Sequence, residues 1–187
     1  MTINLRHKFG QGLSPQEFVD KMTKNQEQFQ SWYNQFSWPD SSLRGFFEGA
    51  HTDNLRCTII AADWCGDVVR NVPAIFRLME TANIPTEVLV MEEHLDVMDE
   101  FLTMGGRSIP VVLFVSAQGD VVGRWGPRPQ YVQEPMVAFK SANTDKNAPD
   151  YEENLKAARQ EIMRRYGEGT GYQKLIAEEI KEILERI

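Results

Sequence analysis

The sequence predicts an α/β protein: a central mixed sheet with helices on both faces. Three observations point there. Apolar runs of strand length, residues 55–62, 85–91 and 110–116, alternate with segments of helical spacing, residues 65–82 and 92–104. The third run, Pro110 to Ser116, is almost continuously apolar, as suits a strand buried on both faces. A turn at Ala117-Gln118-Gly119-Asp120 then returns the chain as Val121 to Trp125. The order β-α-β, α, β-β therefore combines a parallel crossover with an antiparallel hairpin.

The elements follow in chain order. Ser14-Pro15-Gln16-Glu17 opens the first helix: Ser14 caps, Pro15 suits the first helical position and Glu17 completes a capping box. Phe18, Met22, Asn25, Phe29, Trp32, Tyr33 and Phe36 continue at helical spacing and predict one helix with a core-facing aromatic stripe, stopped by Trp38-Pro39. A short helix is expected over Ser42 to His51. Val68, Val72, Ile75, Phe76 and Met79 form one side of the helix over residues 65–82. Pro85 to Met91 reads as a strand, and Glu92 to Met104 as a helix broken by Gly105-Gly106. Gly126-Pro127-Arg128-Pro129 ends the sheet.

Beyond it, Gln130 to Lys140 reads as helical, with Pro135 expected to interrupt or kink it. Ser141 to Pro149 is loop-like. Tyr151, Leu155, Ala158, Ile162 and Tyr166 make an amphipathic stripe, Gly167-Glu168-Gly169 a break, and Thr170 is positioned to cap a last helix carrying Leu175, Ile176, Ile180, Ile183 and Leu184. Charges at i,i+4 (Glu152–Lys156, Glu161–Arg165, Glu182–Arg186) fit solvated helical faces.

Composition bounds the function. The 187 residues suit one domain, and 42% hydrophobic residues allow a full core. Acidic residues outnumber basic ones, 27 to 20, for a formal net charge of −7. With no basic block or stripe, nucleic acid is not an expected partner. No apolar run reaches the roughly 20 residues that cross a bilayer. Met1 to Gly12 lacks the apolar stretch of a secretory signal. A cytoplasmic, reducing setting is therefore expected.

Of two cysteines, Cys57 lies within a strand-like run and Cys65 just past its end. Strand residues rise about 3.3 Å each, which puts the sulfurs more than about 10 Å apart, and a disulfide needs Cα atoms within about 7 Å. Both are expected free, Cys57 as a core residue. Cys65 falls at the first turn of a helix, where unpaired N–H groups and the helix dipole lower a thiol pKa. Asp67 opposes that and Arg70 is near enough to offset it in part, so the net sign stays open. His7, His51 and His94 are scattered, lack metal spacing and read as surface groups.

The motif Asp63-Trp64-Cys65-Gly66-Asp67-Val68, together with Pro73, Arg107-Ser108-Ile109-Pro110, Gly119-Asp120 and Gly126, resembles the thioredoxin superfamily over roughly residues 52–126. That family places a Trp-Cys-x-x-Cys motif between a strand and a proline-containing helix, then an Ile-Pro with a cis proline, a Gly-Asp turn and a glycine. The resemblance implies a three-layer α/β/α fold with extra helices at both ends. It implies one domain over 1–187: a helical extension at 1–51, a core at 52–126 and a helical part at 127–187. It also implies a cis Pro110 packed on Cys65, main-chain bonding of an extended peptide by Ile109, and an apolar groove bounded by Trp64, Pro110 and Gly126.

Two departures matter. Val68 stands where the resolving cysteine belongs, and Ile59 where the family carries a buried acid. Asp67, in place of the usual proline, is either a local acid/base or a first-turn dipole partner. The leading expectation is a one-cysteine thiol redox protein, with Cys65 as nucleophile, Asp67 assisting, and a small thiol or thiol-containing protein resolving the adduct. The alternative is a non-catalytic binding module for an extended peptide or partner protein. A peroxidase or transferase role lacks a Thr-x-x-Cys element and a helical thiol-binding domain. Arg107 is a candidate contact for an anionic thiol such as glutathione, or a solvated arginine. No tightly bound cofactor and no metal is expected, and the added helices are compatible with a dimer face.

Overall fold

The computed structural model describes residues 2–50 and 52–187; His51 lies outside the described residues. Strands β1 (Leu55–Ala61), β2 (Thr86–Val90), β3 (Val111–Ser116) and β4 (Val121–Trp125) form one sheet in the order β2-β1-β3-β4. The β1–β2 pair is parallel, while β1–β3 and β3–β4 are antiparallel. The helices are α1 (Pro15–Lys21), α2 (Gln26–Asn34), α3 (Ser41–Gly49), α4 (Gly66–Thr81), α5 (Leu95–Met98), α6 (Gln130–Ala142), α7 (Tyr151–Tyr166) and α8 (Tyr172–Leu184).

Cys57 to Ala61 of β1 and Val111 to Val115 of β3 are all buried. Successive side chains of a strand point to opposite faces, so the centre of the sheet is covered on both. The chain ahead of α1 protects the sheet's periphery. Leu5 N–H donates to Gly119 O at the β3–β4 turn, and Leu13 exchanges two backbone bonds with Val88, at 2.9 and 2.8 Å, on the otherwise open side of β2.

The single helix expected from Ser14 to Phe36 is two. The Ser14–Glu17 capping box forms, but α1 ends at Lys21, Met22 is extended, and Asn25 adopts left-handed backbone at φ 59°. The cause is Asp63. Its carboxylate accepts Thr23 N–H at 2.8 Å, Lys24 N–H at 3.1 Å and the Thr23 hydroxyl at 3.1 Å, while the Asn25 amide donates to Asp63 O at 2.9 Å. Mid-helix N–H groups could not be offered to an outside acceptor. The aromatic stripe still packs inward: Phe18, Phe29, Trp32 and Phe36 are buried.

Three further expectations change. The segment from Glu92 to Met104 holds only the short α5 between 3-10 turns, and Met104 and Gly105 turn it back with positive φ. Pro135 does not interrupt α6, which runs continuously through it. Proline leaves the carbonyl one turn earlier, on Tyr131, without its helical donor; Arg165 Nη1 supplies one at 2.7 Å. Thr170 does not cap α8; Gly171 holds that position, and Gln173 N–H donates to Thr170 O. Of the histidines, His7 is exposed but His94 is buried beside Lys8, and burial followed by that cation pulls its imidazole pKa down.

Helix α8 lies against α3, α4 and β4, with Ile176, Ala177 and Ile180 fully buried. Ile180→Ala is expected to lower stability by about 2–5 kcal/mol. In urea this reads as a lower midpoint at unchanged slope. An unmoved midpoint would make α8 a detachable cover.

Candidate functional site

Strand β1 ends at Ala61, and a tight turn through Ala62, Asp63 and Trp64 delivers Cys65 to the N-cap position of α4 with extended backbone, φ −86° and ψ 120°. Asp63 is tied to the turn before α2, as above, so the chain ahead of the sheet braces this turn. Cys65 is half-buried and its sulfur donates to Ile109 O at 3.4 Å. The Ile109–Pro110 bond is cis, as is Gly126–Pro127. The sequence motifs at Cys65 and Pro110 thus meet across the end of the sheet.

Burial is the largest influence on the Cys65 thiol and raises its pKa. The Val68 and Asp67 N–H groups at the start of α4 and the Arg128 charge favour the thiolate, while the Asp67 carboxylate opposes it. The net direction is upward. Cys57, fully enclosed, is pushed up to about 12, and both cysteines are free. Val68, at the resolving position, is fully buried, as is Ile59.

Asp67 is held by partners far away in the chain. Its carboxylate takes a two-pronged ion pair from Arg128, at 2.9 and 2.6 Å, with both side chains under one-fifth exposed. The Tyr166 hydroxyl donates to the same carboxylate at 2.8 Å and accepts from the Asn71 amide at 2.7 Å. Burial and the Asp67 charge drive the Tyr166 phenol pKa far up, so it stays a donor. Arg70 does not pair with Asp67. It stacks over the rings of Trp32, Tyr166 and Tyr172 at 4.8, 5.0 and 5.4 Å and donates to Gly167 O.

The remaining candidates divide. Trp64 is 48% exposed beside Cys65, its indole N–H donating to Glu92 at 2.6 Å. Ile109 is buried, and its carbonyl receives the Cys65 thiol. Gly126, at φ +109°, lets the end of β4 press on the proline loop; a Cβ there would collide with Pro110 O. Arg107 is paired in two-pronged fashion with Asp99, at 2.6 and 2.8 Å. Sequence reasoning passed over Arg128, Tyr166, Asn71 and Asp63. The one usable signal was Arg128 between two prolines at the sheet's end, because Asp67 and Tyr166 are joined only by folding.

The family model described as thioredoxin matches residues 12–148. No curated protein matches the chain. A solved structure of a protein of unknown function from Pseudomonas aeruginosa superposes with a TM-score of 0.67 at 18% identity, covering 98% of each chain. An HIV epitope-scaffold superposes with a TM-score of 0.69 at 17% identity, again over 98% of both. Identities this low carry the fold alone.

Gly126→Ala is expected to lose more than about 1 kcal/mol, since positive φ and the Pro110 contact both resist a Cβ. Gly66→Ala, with open space at its Cβ, is expected to be neutral or to gain up to about 1 kcal/mol. Thermal melts compare the two; equal effects would contradict the close packing of Gly126.

Proposed function

Since the chain belongs to the thioredoxin family, we propose that it is a monothiol redox protein acting through Cys65. The reading rests on one observation: the Cys65 sulfur stands at the start of α4, 3.4 Å from Ile109 O and beside cis Pro110, on an edge that is still partly open. The Cys65 thiol first gives its proton to solvent. The thiolate then attacks one sulfur of a disulfide; that S–S bond breaks, a Cys65 mixed disulfide forms, and the leaving thiolate takes up a proton. Val68 offers no second thiol, so an external small thiol or thiol-containing protein attacks the adduct. It leaves as the new disulfide and returns Cys65 as thiol. Trp64, Ile109, Pro110 and Gly126 would border the incoming disulfide. Asp67 acts as a positioning residue that holds Arg128 near the sulfur. No helix among the described residues is long and apolar enough to cross a membrane.

A second reading, a binding module without turnover, is favoured by the raised thiol pKa and by Ile59 in place of the family's buried acid. Intact mass separates the two. Neutral hydroxyethyl disulfide at alkaline pH is expected to add to one cysteine, Cys65, and a small thiol to remove the adduct. An unmodified chain leaves only the binding reading.

The pH dependence has a definite sign. With burial holding the thiol pKa up, the thiolate is scarce at neutral pH. The exchange rate should climb about tenfold per unit until it levels above about 8.5, the free-cysteine value. Asp67→Asn removes the charge that opposes the thiolate, a larger influence than the Arg128 charge that favours it, while its amide oxygen can still accept from Arg128, so the profile should move to lower pH. A profile that levels near neutrality, or that Asp67→Asn leaves in place, contradicts this account.

A further inference from the structure

Helices α2, α4 and α7 enclose an open cleft of about 480 Å³ whose wall begins at Gly66, the residue after Cys65. The volume is in the range of small-molecule sites, about 300–1,000 Å³. Its charge is the reverse of the chain's: Arg70, Arg128 and Arg159 face it against a single carboxylate, Asp67, in a protein of net charge −7. That carboxylate is already consumed by Arg128 and Tyr166. Arg70 is stacked on rings and bonded to a neutral carbonyl, with no carboxylate partner among the described residues. Arg159 is exposed and makes no ion pair among the described residues. The cleft therefore carries uncompensated positive charge. Exposed Met163 and buried Ile162 give it an apolar floor as well. Gly66 and Asp67, the two residues that follow Cys65, line the cleft, and nothing lies within 4 Å of the Gly66 Cβ direction.

We propose that this cleft holds the acidic part of the small thiol that resolves Cys65, a low-molecular-weight thiol bearing two or more anionic groups. The proposal deepens the monothiol reading and rests on it for the identity of the reacting atom. Arg128 links the two places: it lines the cleft, and its charge favours the Cys65 thiolate. A thiol of tripeptide size, about 10 Å long when extended, spans from a sulfur at Cys65 into the cleft. In the resolving step its thiolate attacks the outer sulfur, the one contributed by the small thiol, of a mixed disulfide formed between Cys65 and the same thiol. The Cys65–S bond breaks, Cys65 recovers its proton from solvent, and the small thiol leaves as its symmetric disulfide. Arg70, Arg128 and Arg159 bind and orient the anionic groups and take no part in the electron flow.

Two measurements test it. The first uses S-methylglutathione, a dicarboxylate whose blocked sulfur cannot react, titrated calorimetrically into the intact protein. Saturable binding is expected, weakened about fivefold or more by Arg159→Glu and by added salt. Inorganic phosphate is the control. If phosphate binds as well with the same Arg159 dependence, the cleft is a generic anion site and the proposal fails. It fails too if S-methylglutathione does not bind or ignores Arg159→Glu. The second compares adduct formation by an anionic aromatic disulfide and by neutral hydroxyethyl disulfide. Arg159→Glu should lower the ratio of anionic to neutral rates by about fivefold or more. An unchanged ratio overturns the proposal. If neither disulfide reacts, thiol exchange at Cys65 falls, while the titration still decides whether the cleft binds an acidic ligand.

Discussion

A half-buried carboxylate at the start of α4 organises this molecule. Removing an anion from water is costly unless it is paired and hydrogen-bonded. Asp67 meets that requirement with a two-pronged guanidinium from the sheet's end and a phenol from α7. The requirement pulls the last helices of the chain onto the helix that presents the cysteine. The cleft beside Cys65 lies between α4 and α7, and the Tyr166–Asp67 hydrogen bond joins the two helices at its wall. Asn71 continues the network, bonding both Tyr166 and Pro127 O, so the loop carrying Arg128 is held from both sides.

The same arrangement shapes the electrostatics of the thiol. A helix N-terminus and a nearby arginine favour the thiolate, and two backbone N–H groups face the sulfur. Burial under the Pro110 loop and the Asp67 charge work the other way and prevail. A dithiol member of the fold needs a fast nucleophile and an internal second thiol to release its adduct. Here the second position is a buried valine, so on the monothiol reading proposed above, release would depend on what can approach from outside. The rate of such a centre is then set by encounter and orientation of a small thiol as much as by thiol acidity. A positively charged recess beside the sulfur suits that task in a chain whose surface is otherwise acidic.

The terminal helices are part of the site. Asp63 stops α1, starts α2 and fixes the turn into Trp64-Cys65 with four hydrogen bonds. Arg70 is boxed by rings from α2, α7 and α8, which joins both ends of the chain over α4. Arg70 is half-buried among those rings, whereas the partners of Asp63, Thr23, Lys24 and Asn25, are exposed.

The proline loop facing the cysteine was implied by the family resemblance; the order of strands and helices along the chain, the cysteine at a helix start and the free state of both cysteines were legible in the sequence itself. Each rests on a short-range signal: apolar runs, capping residues, turn residues, or a motif whose spacing a strand or helix enforces. The split between α1 and α2 was not legible, because Phe18 to Phe36 keep one helical period across a break imposed by a carboxylate far along the chain. Continuity of α6 through Pro135 was hidden for the same reason, since the orphaned Tyr131 carbonyl is satisfied by Arg165 from another helix. The pairing of Asp67 with Arg128 rather than Arg70, and the sign of the thiol shift, also came only with the fold. Local pattern determined which segments are helix or strand and where the sulfur is presented. Tertiary structure decided which charges meet and how much water reaches them, because both depend on distances that sequence separation does not encode.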